Sequence, residues 1–177
     1  MEKARIATLW LDGCSGCHMS LLDIDERLLE IADKIDLVYS PVVDAKEFPD
    51  NVDLTLIEGA IGNDEDAAKV KLIRGKTKLL AALGDCSVTG NVPAMRNNFL
   101  LEDVLKRGYV ENATASPGVP DHEIPKLRPK VIPLHELVAV DLFLPGCPPS
   151  ADLIFFVLSE VLAGRVPDLA TKCRFGN

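Results

Sequence analysis

Five cysteines, at positions 14, 17, 86, 147 and 173, are the residues of this 177-residue chain best suited to chemistry. A thiolate is a soft anionic ligand and a redox-active nucleophile, so metal binding, cluster binding and thiol redox chemistry are all open to it. An odd number of cysteines in a chain with no secretory segment argues against a disulfide scaffold and for metal or redox use. Cys14 and Cys17 form a C-x-x-C pair within Gly13-Cys14-Ser15-Gly16-Cys17. Alone, the pair reads as a thioredoxin-like dithiol, a reading that explains neither Cys86 nor Cys147. Free cysteine is also among the most buried residue types, so any one of these could be core packing. Cys173, in the polar stretch Thr171-Lys172-Cys173-Arg174, follows no strand and reads as a bystander.

The elements that must position these residues can be read from hydrophobic period. Arg5 to Leu11 is an apolar, β-prone run. Met19, Leu21, Leu22, Ile24, Leu28, Leu29 and Ile31 then recur at helical spacing and predict one amphipathic helix. Asp36 to Val43 predicts a second strand that Pro41 confines to an edge or cuts short. Asp53 to Ile57, Lys78 to Leu83 and Val138 to Leu144 predict three more. Helices are expected over Asn63 to Arg74 behind an Asn cap, over Pro93 to Arg107, and over Ser150 to Gly164 behind a Ser cap. The stretch from Tyr109 to Leu137 holds prolines 117, 120, 125, 129 and 133 and reads as a long ordered loop.

Alternating strands and helices predict an α/β fold, a flavodoxin-like open parallel sheet of about five strands in the order 2-1-3-4-5 with helices on both faces. Residues 1–177 are read as one domain, without internal repeat or low-complexity tract. Cys14, Cys17, Cys86 and Cys147 all follow strand carboxyl ends in this arrangement. That edge is where open α/β sheets bind ligands, so distant segments can converge there on a four-thiolate site. Four thiolates suit zinc or an iron-sulfur cluster, and spacing alone does not choose between them. Zinc sites usually bring two close pairs, whereas a 4Fe-4S cluster tolerates separate loops. Glycines at 13, 16, 84 and 146 would admit backbone close to such a group. Helices starting after Cys17 and Cys147 would point positive dipole ends at it.

Composition narrows the function classes. Nineteen Lys and Arg against 27 Asp and Glu leave a formal charge of -8, with no basic stripe, which excludes an ordinary nucleic-acid footprint. The apolar run Leu153 to Leu158 falls short of the roughly 20 residues of a membrane span. Ile6 to Leu11 stops too early for a secretory signal, so a cytoplasmic location is expected.

The segment Leu11 to Leu29, LDGCSGCHMSLLDIDERLL, resembles the cluster-binding start of small subunits of cytoplasmic NiFe hydrogenases, especially those that reduce NAD. Gly84-Asp85-Cys86 and Leu144-Pro145-Gly146-Cys147-Pro148-Pro149 resemble the other ligand segments of that family, within the wider group of the 20 kDa subunit of NADH:ubiquinone oxidoreductase. The resemblance implies that Cys14, Cys17, Cys86 and Cys147 hold one 4Fe-4S cluster next to the NiFe centre of a separate large subunit. It implies a diaphorase, with iron-sulfur and flavoprotein subunits, as the electron partner. Larger relatives continue into a domain with cysteines for further clusters, so this chain is expected to carry one.

Related cytoplasmic hydrogenases deliver to NADP or a deazaflavin instead, and two other classes compete: an FMN-binding flavodoxin-like protein and a zinc-stabilised adaptor. Met19 stands where many membrane-associated relatives carry a Glu, so that residue's proton-transfer role is not carried over. Glu58-Gly59-Ala60-Ile61-Gly62 follows the third strand, where a flavin could sit. His18 is expected to tune the cluster or face a partner. Trp10 and Phe99 are expected to pack, His122 and His135 to lie at a surface or interface, and Leu153 to Leu162 to serve as core and subunit contact.

Overall fold

Near-continuous apolar runs make the central strands, because parallel strands covered on both faces have no solvent side on which to alternate. The computed structural model describes residues 3–170 and 172–173. Its strands are β1 (Ala4–Trp10), β2 (Ile35–Tyr39), β3 (Val52–Glu58), β4 (Ile61–Asn63), β5 (Thr77–Leu83), β6 (Leu127–Ile132) and β7 (Leu142–Leu144). Its α-helices are α1 (Gly16–Leu22), α2 (Asp64–Lys76), α3 (Asp85–Thr89), α4 (Asn91–Ala94), α5 (Leu101–Lys106) and α6 (Ala151–Leu162). Five strands pair in parallel in the order β2-β1-β3-β5-β7. Counted within the sheet, this is the expected 2-1-3-4-5 order.

Two apolar layers clamp the sheet. On one face Leu9, Ile57 and Leu80 pack against Val70 and Ile73 of α2 and against Leu134. On the other, Ile6, Leu54, Leu56 and Leu83 pack against Ile24 and against Ile154, Val157 and Leu158 of α6. Both helix starts use the caps the sequence predicts: Asn63 accepts from the Asp66 N–H and Ser150 from the Leu153 N–H. β7 is short, and Asp141 ties its approach to β5. Asp141 accepts the Leu80 N–H and pairs with Arg74, which also donates to the carbonyls of Thr77 and Lys78.

Four expectations need correction. The single helix through Met19 to Ile31 is broken: α1 ends at Leu22, Asp25 has φ +57°, and Asp25–Glu30 coils more tightly as a 3-10 helix. Ile24 and Ile31 are buried and Leu28 packs against the core, while Met19, Leu22 and Leu29 are exposed, so apolar period alone does not reveal the break. The helix expected over Pro93 to Arg107 is likewise split, with Phe99 and Leu100 extended between a 3-10 turn and α5. The fifth strand covers only Leu142–Leu144. Inside the proline-rich loop, β6 pairs antiparallel with β4 in a two-stranded ribbon that tolerates Pro129 because it is all edge. No helix among the described residues is long and apolar enough to cross a membrane.

Candidate metal centre

The carboxyl ends of β1, β3, β5 and β7 carry the loops that form one pocket, lined by Cys14, Cys17, Cys86 and Cys147 together with Glu58 and Asp85. After β1 the chain stays beside the end of β3: the Leu11 N–H donates to the Glu58 carbonyl, and Asp12 bridges to Ala60. Ser15, at φ +66°, turns the chain into α1, which puts Cys17 in its first turn. Cys86 lies in the first turn of α3, directly after β5.

The Cys147 loop is tied to the Cys86 loop by reciprocal bonds. Asp85 N–H donates to the Gly146 carbonyl at 2.9 Å, and Gly146 N–H donates to Asp85 Oδ1 at 2.7 Å. Gly84 N–H donates to the Leu144 carbonyl at 2.8 Å. On the opposite side the Ser20 hydroxyl of α1 donates to the Pro149 carbonyl, so the first and last cysteine segments are also joined. The Cys147–Pro148 peptide is cis.

Burial divides the thiols. Cys17 and Cys86 are half-buried, whereas Cys14 and Cys147 are exposed at the rim. Burial pushes the Cys17 thiol far up, and the carboxylate of Glu58 and the sulfurs of Cys86 and Cys14 push it further. Cys86 is raised by burial and then by Cys147 and Cys14; N–H groups of Val92 and Asn91 oppose the rise. Four sulfurs this close repel one another as thiolates, so deprotonation of the set calls for a cationic group among them.

The residues present fit such a group. All four donors are soft, and all five cysteines are free thiols. A Cβ built on Gly84 would overlap Cys17 Sγ, and one on Gly16 would lie 3.3 Å from Cys14 Sγ, so side chains at these glycines would intrude on the sulfurs. Among the described residues no three His, Cys, Asp or Glu side chains close on a point tightly enough for one metal ion.

Around the pocket, His18 is buried with its ring turned inward. Its Nε2 pairs with Thr8 Oγ1 at 2.9 Å, and its backbone N–H donates to Glu58 Oε2 at 2.7 Å. Thr8 in turn donates to Ser40. His18 is thus largely shielded from solvent and is linked to the pocket through Glu58, whose Oε2 lies 3.1 Å from its Nδ1. Trp10 and Phe99 are exposed rather than packed, and Trp10 donates from Nε1 to the Gly13 carbonyl. His122 and His135 are exposed, as expected.

Ala60 pairs with Asp12, Ile61 with Ile132, and the Gly62 carbonyl accepts from Arg96, so most of the Glu58 to Gly62 turn is committed to internal bonds. Cys173 is not among the residues lining the pocket. Glu58, read from sequence as part of a possible flavin turn, is instead a buried carboxylate lining the thiol pocket, and Asn91, whose Nδ2 lies 3.6 Å from Cys147 Sγ, escaped sequence reasoning. The Gly90-Asn91 turn signature was the one available signal for Asn91.

Residues 14–161 match the family described as NADH ubiquinone oxidoreductase, 20 Kd subunit. The chain is 44% identical over 175 residues to the NAD-reducing hydrogenase HoxS subunit delta of Cupriavidus necator, covering 96% of this chain and 84% of that one. It is 38% identical over 170 residues to a subunit of the F420-non-reducing vhu hydrogenase of Methanocaldococcus jannaschii, covering 95% of this chain but only 59% of that relative. Among solved structures, a subunit in the crystal structure of an NAD+-reducing NiFe hydrogenase in the H2-reduced state superposes with a TM-score of 0.93 at 40% identity. That match covers 99% of this chain and 100% of the other. The reduced, active Ni-Fe-Se hydrogenase from Desulfomicrobium baculatum shares the fold, with a TM-score of 0.61 at 22% identity over 96% of this chain and 68% of that one.

Proposed function

This chain belongs to the NADH ubiquinone oxidoreductase 20 kDa subunit family, and on that premise we propose that it is the electron-transfer small subunit of an NAD-reducing NiFe hydrogenase. In this reading Cys14, Cys17, Cys86 and Cys147 hold one 4Fe-4S cluster, residues 1–177 act as one domain, and the complex works in the cytoplasm. A large subunit carries the NiFe centre, and a diaphorase of iron-sulfur and flavoprotein subunits receives the electrons.

One observation carries the proposal: four thiols from three distant chain segments line a single pocket whose glycines leave room beside the sulfurs. When bound, the cluster supplies one-electron storage between two-electron chemistries. Dihydrogen yields two protons and two electrons at the large subunit; NAD+, one proton and two electrons yield NADH at the diaphorase. This chain's own residues ligate, orient and partly bury the cluster. Cys17 and Cys86 lie on the inner side and Cys14 and Cys147 at the rim, so the rim sulfurs face whatever subunit covers this edge.

Iron and acid-labile sulfide in the anaerobically purified subunit should each come to about four per chain. Alanine at any of the four cysteines should lower both, while Cys173→Ser should leave them unchanged. One zinc and no sulfide per chain would overturn the proposal, and loss of iron from Cys173→Ser would overturn the ligand set.

A further inference from the structure

We propose that Asn91 sets the reduction potential of the cluster by donating a side-chain N–H to the sulfur of Cys147, an inference that rests on the ligand assignment above. Asn91 Nδ2 lies 3.6 Å from Cys147 Sγ, within range for an N–H donor to sulfur. Cys147 and Cys86 line the same pocket, so Asn91 stands at the sulfur edge of the proposed cluster. Asn91, just after the Cys86 turn, therefore reaches across to a sulfur that arrives from a different strand. Ligand thiolates only accept hydrogen bonds, so the amide must present its nitrogen to them.

The backbone is built for this contact. α3 ends with Gly90 N–H bonded to the Cys86 carbonyl, at φ +87°, and Asn91 follows at φ +33°. Two successive left-handed residues fold the chain back over the turn that carries Cys86. Asparagine is among the few side-chain-bearing residues that accept this region, and it brings a donor with it. Aspartate fits the same backbone but would place an anionic acceptor against the Cys147 sulfur.

One-electron reduction adds a negative charge spread over iron and sulfur. N–H donors to the sulfurs stabilise the more negative state and so raise the potential, one of the protein's main controls over such clusters. Asn91 is a positioning and tuning residue: it acts through the ligands, and its effect must be read on the cluster rather than on turnover.

The test is an EPR-monitored redox titration of the anaerobically purified complex, following the signal that disappears in Cys147→Ser. Asn91→Gly removes the donor while keeping a backbone that accepts positive φ. Asn91→Asp keeps the shape but replaces the donor by an anionic acceptor. With iron content equal to wild type, Asn91→Gly should lower the reduced-to-oxidised ratio at fixed potential about tenfold, a shift of ~59 mV for a one-electron couple. Asn91→Asp should lower it further.

If Asn91→Gly fails to load iron, Asn91→Asp decides alone, and a lowered potential in that variant supports the proposal. An unchanged or raised potential in an iron-replete variant would overturn it. So would loss of iron from both variants, which would make Asn91 a structural cap. A wild-type complex without a signal sensitive to Cys147→Ser would instead sink the ligand assignment.

Discussion

Gly84 is held by two constraints at once. Its φ of +83° and ψ of 161° lie in a region essentially reserved for glycine, and a Cβ there would overlap Cys17 Sγ. Gly84→Ala should therefore cost about 1–3 kcal/mol of stability from backbone strain. It should also deplete iron, because Cys17 must move off its position. Gly75 of α2 is the matched control: a Cβ there meets nothing within 4 Å, and alanine in a helix is favoured over glycine by roughly 0.5–1 kcal/mol. Denaturant unfolding and iron analysis of both variants make the comparison. A fully loaded Gly84→Ala would show that this glycine serves the backbone alone. The same physics bears on the thiols: Cys17 is raised by burial, by Glu58 and by its neighbours, so a thiol set competent for ligation must shed protons as it loads.

At the scale of elements, β7 is the short member of the sheet, three residues that pair with Ala81 to Leu83 of β5, with Asp141 bonded to β5 just ahead of them. Burial alone would raise the Asp141 carboxyl, but the Leu80 N–H and the Arg74 guanidinium together bring it below its ordinary value of 3.8. A carboxylate depressed in the folded state stabilises the fold above its unfolded pKa, and that contribution fades as pH falls through the lower folded value. Wild type should therefore unfold at higher denaturant than Asp141→Asn near neutrality, and the gap should close below about pH 4. Urea midpoints of the two proteins at several pH values test this, and a gap that widens in acid would contradict it. The loosening matters to the site because β7 leads directly into the Cys147 loop.

For the whole molecule, several large apolar side chains lie exposed close in sequence to the cysteine segments. Trp10, Met19 and Leu22 lie exposed near the Cys14 and Cys17 segment, and Val92, Met95 and Phe99 follow the Cys86 turn. Large apolar groups gathered around a site are what a protein partner covers. If the cluster is the sole route between the NiFe centre and the diaphorase, Cys147→Ser in an assembled complex should abolish hydrogen-dependent NAD reduction. NADH-driven dye reduction at the diaphorase should survive. Assembly is checked by size, because loss of a bound cluster can loosen an interface. Undiminished hydrogen-to-NAD turnover after loss of the cluster signal would mean that electrons bypass this chain.

What the residues alone determined is the sheet and the cysteine edge. Apolar runs at β1, β3 and β5 and the caps Asn63 and Ser150 are local signals that tertiary contacts reinforce, so strand order and the placement of Cys14, Cys17, Cys86 and Cys147 after strand ends could be read from them. Only the tertiary structure decided where helices break, because Ile24, Leu28 and Ile31 keep a helical spacing in sequence whether or not the helix between them is continuous. The ribbon of β4 and β6 was hidden for a related reason: its strands are short, and their pairing depends on chain brought back from far along the sequence. The inward turn of His18 toward Thr8 and Glu58, and the reach of Asn91 to Cys147, lie in side-chain directions between segments distant in sequence. Such contacts leave no period or spacing in the sequence, because geometry across the fold creates them.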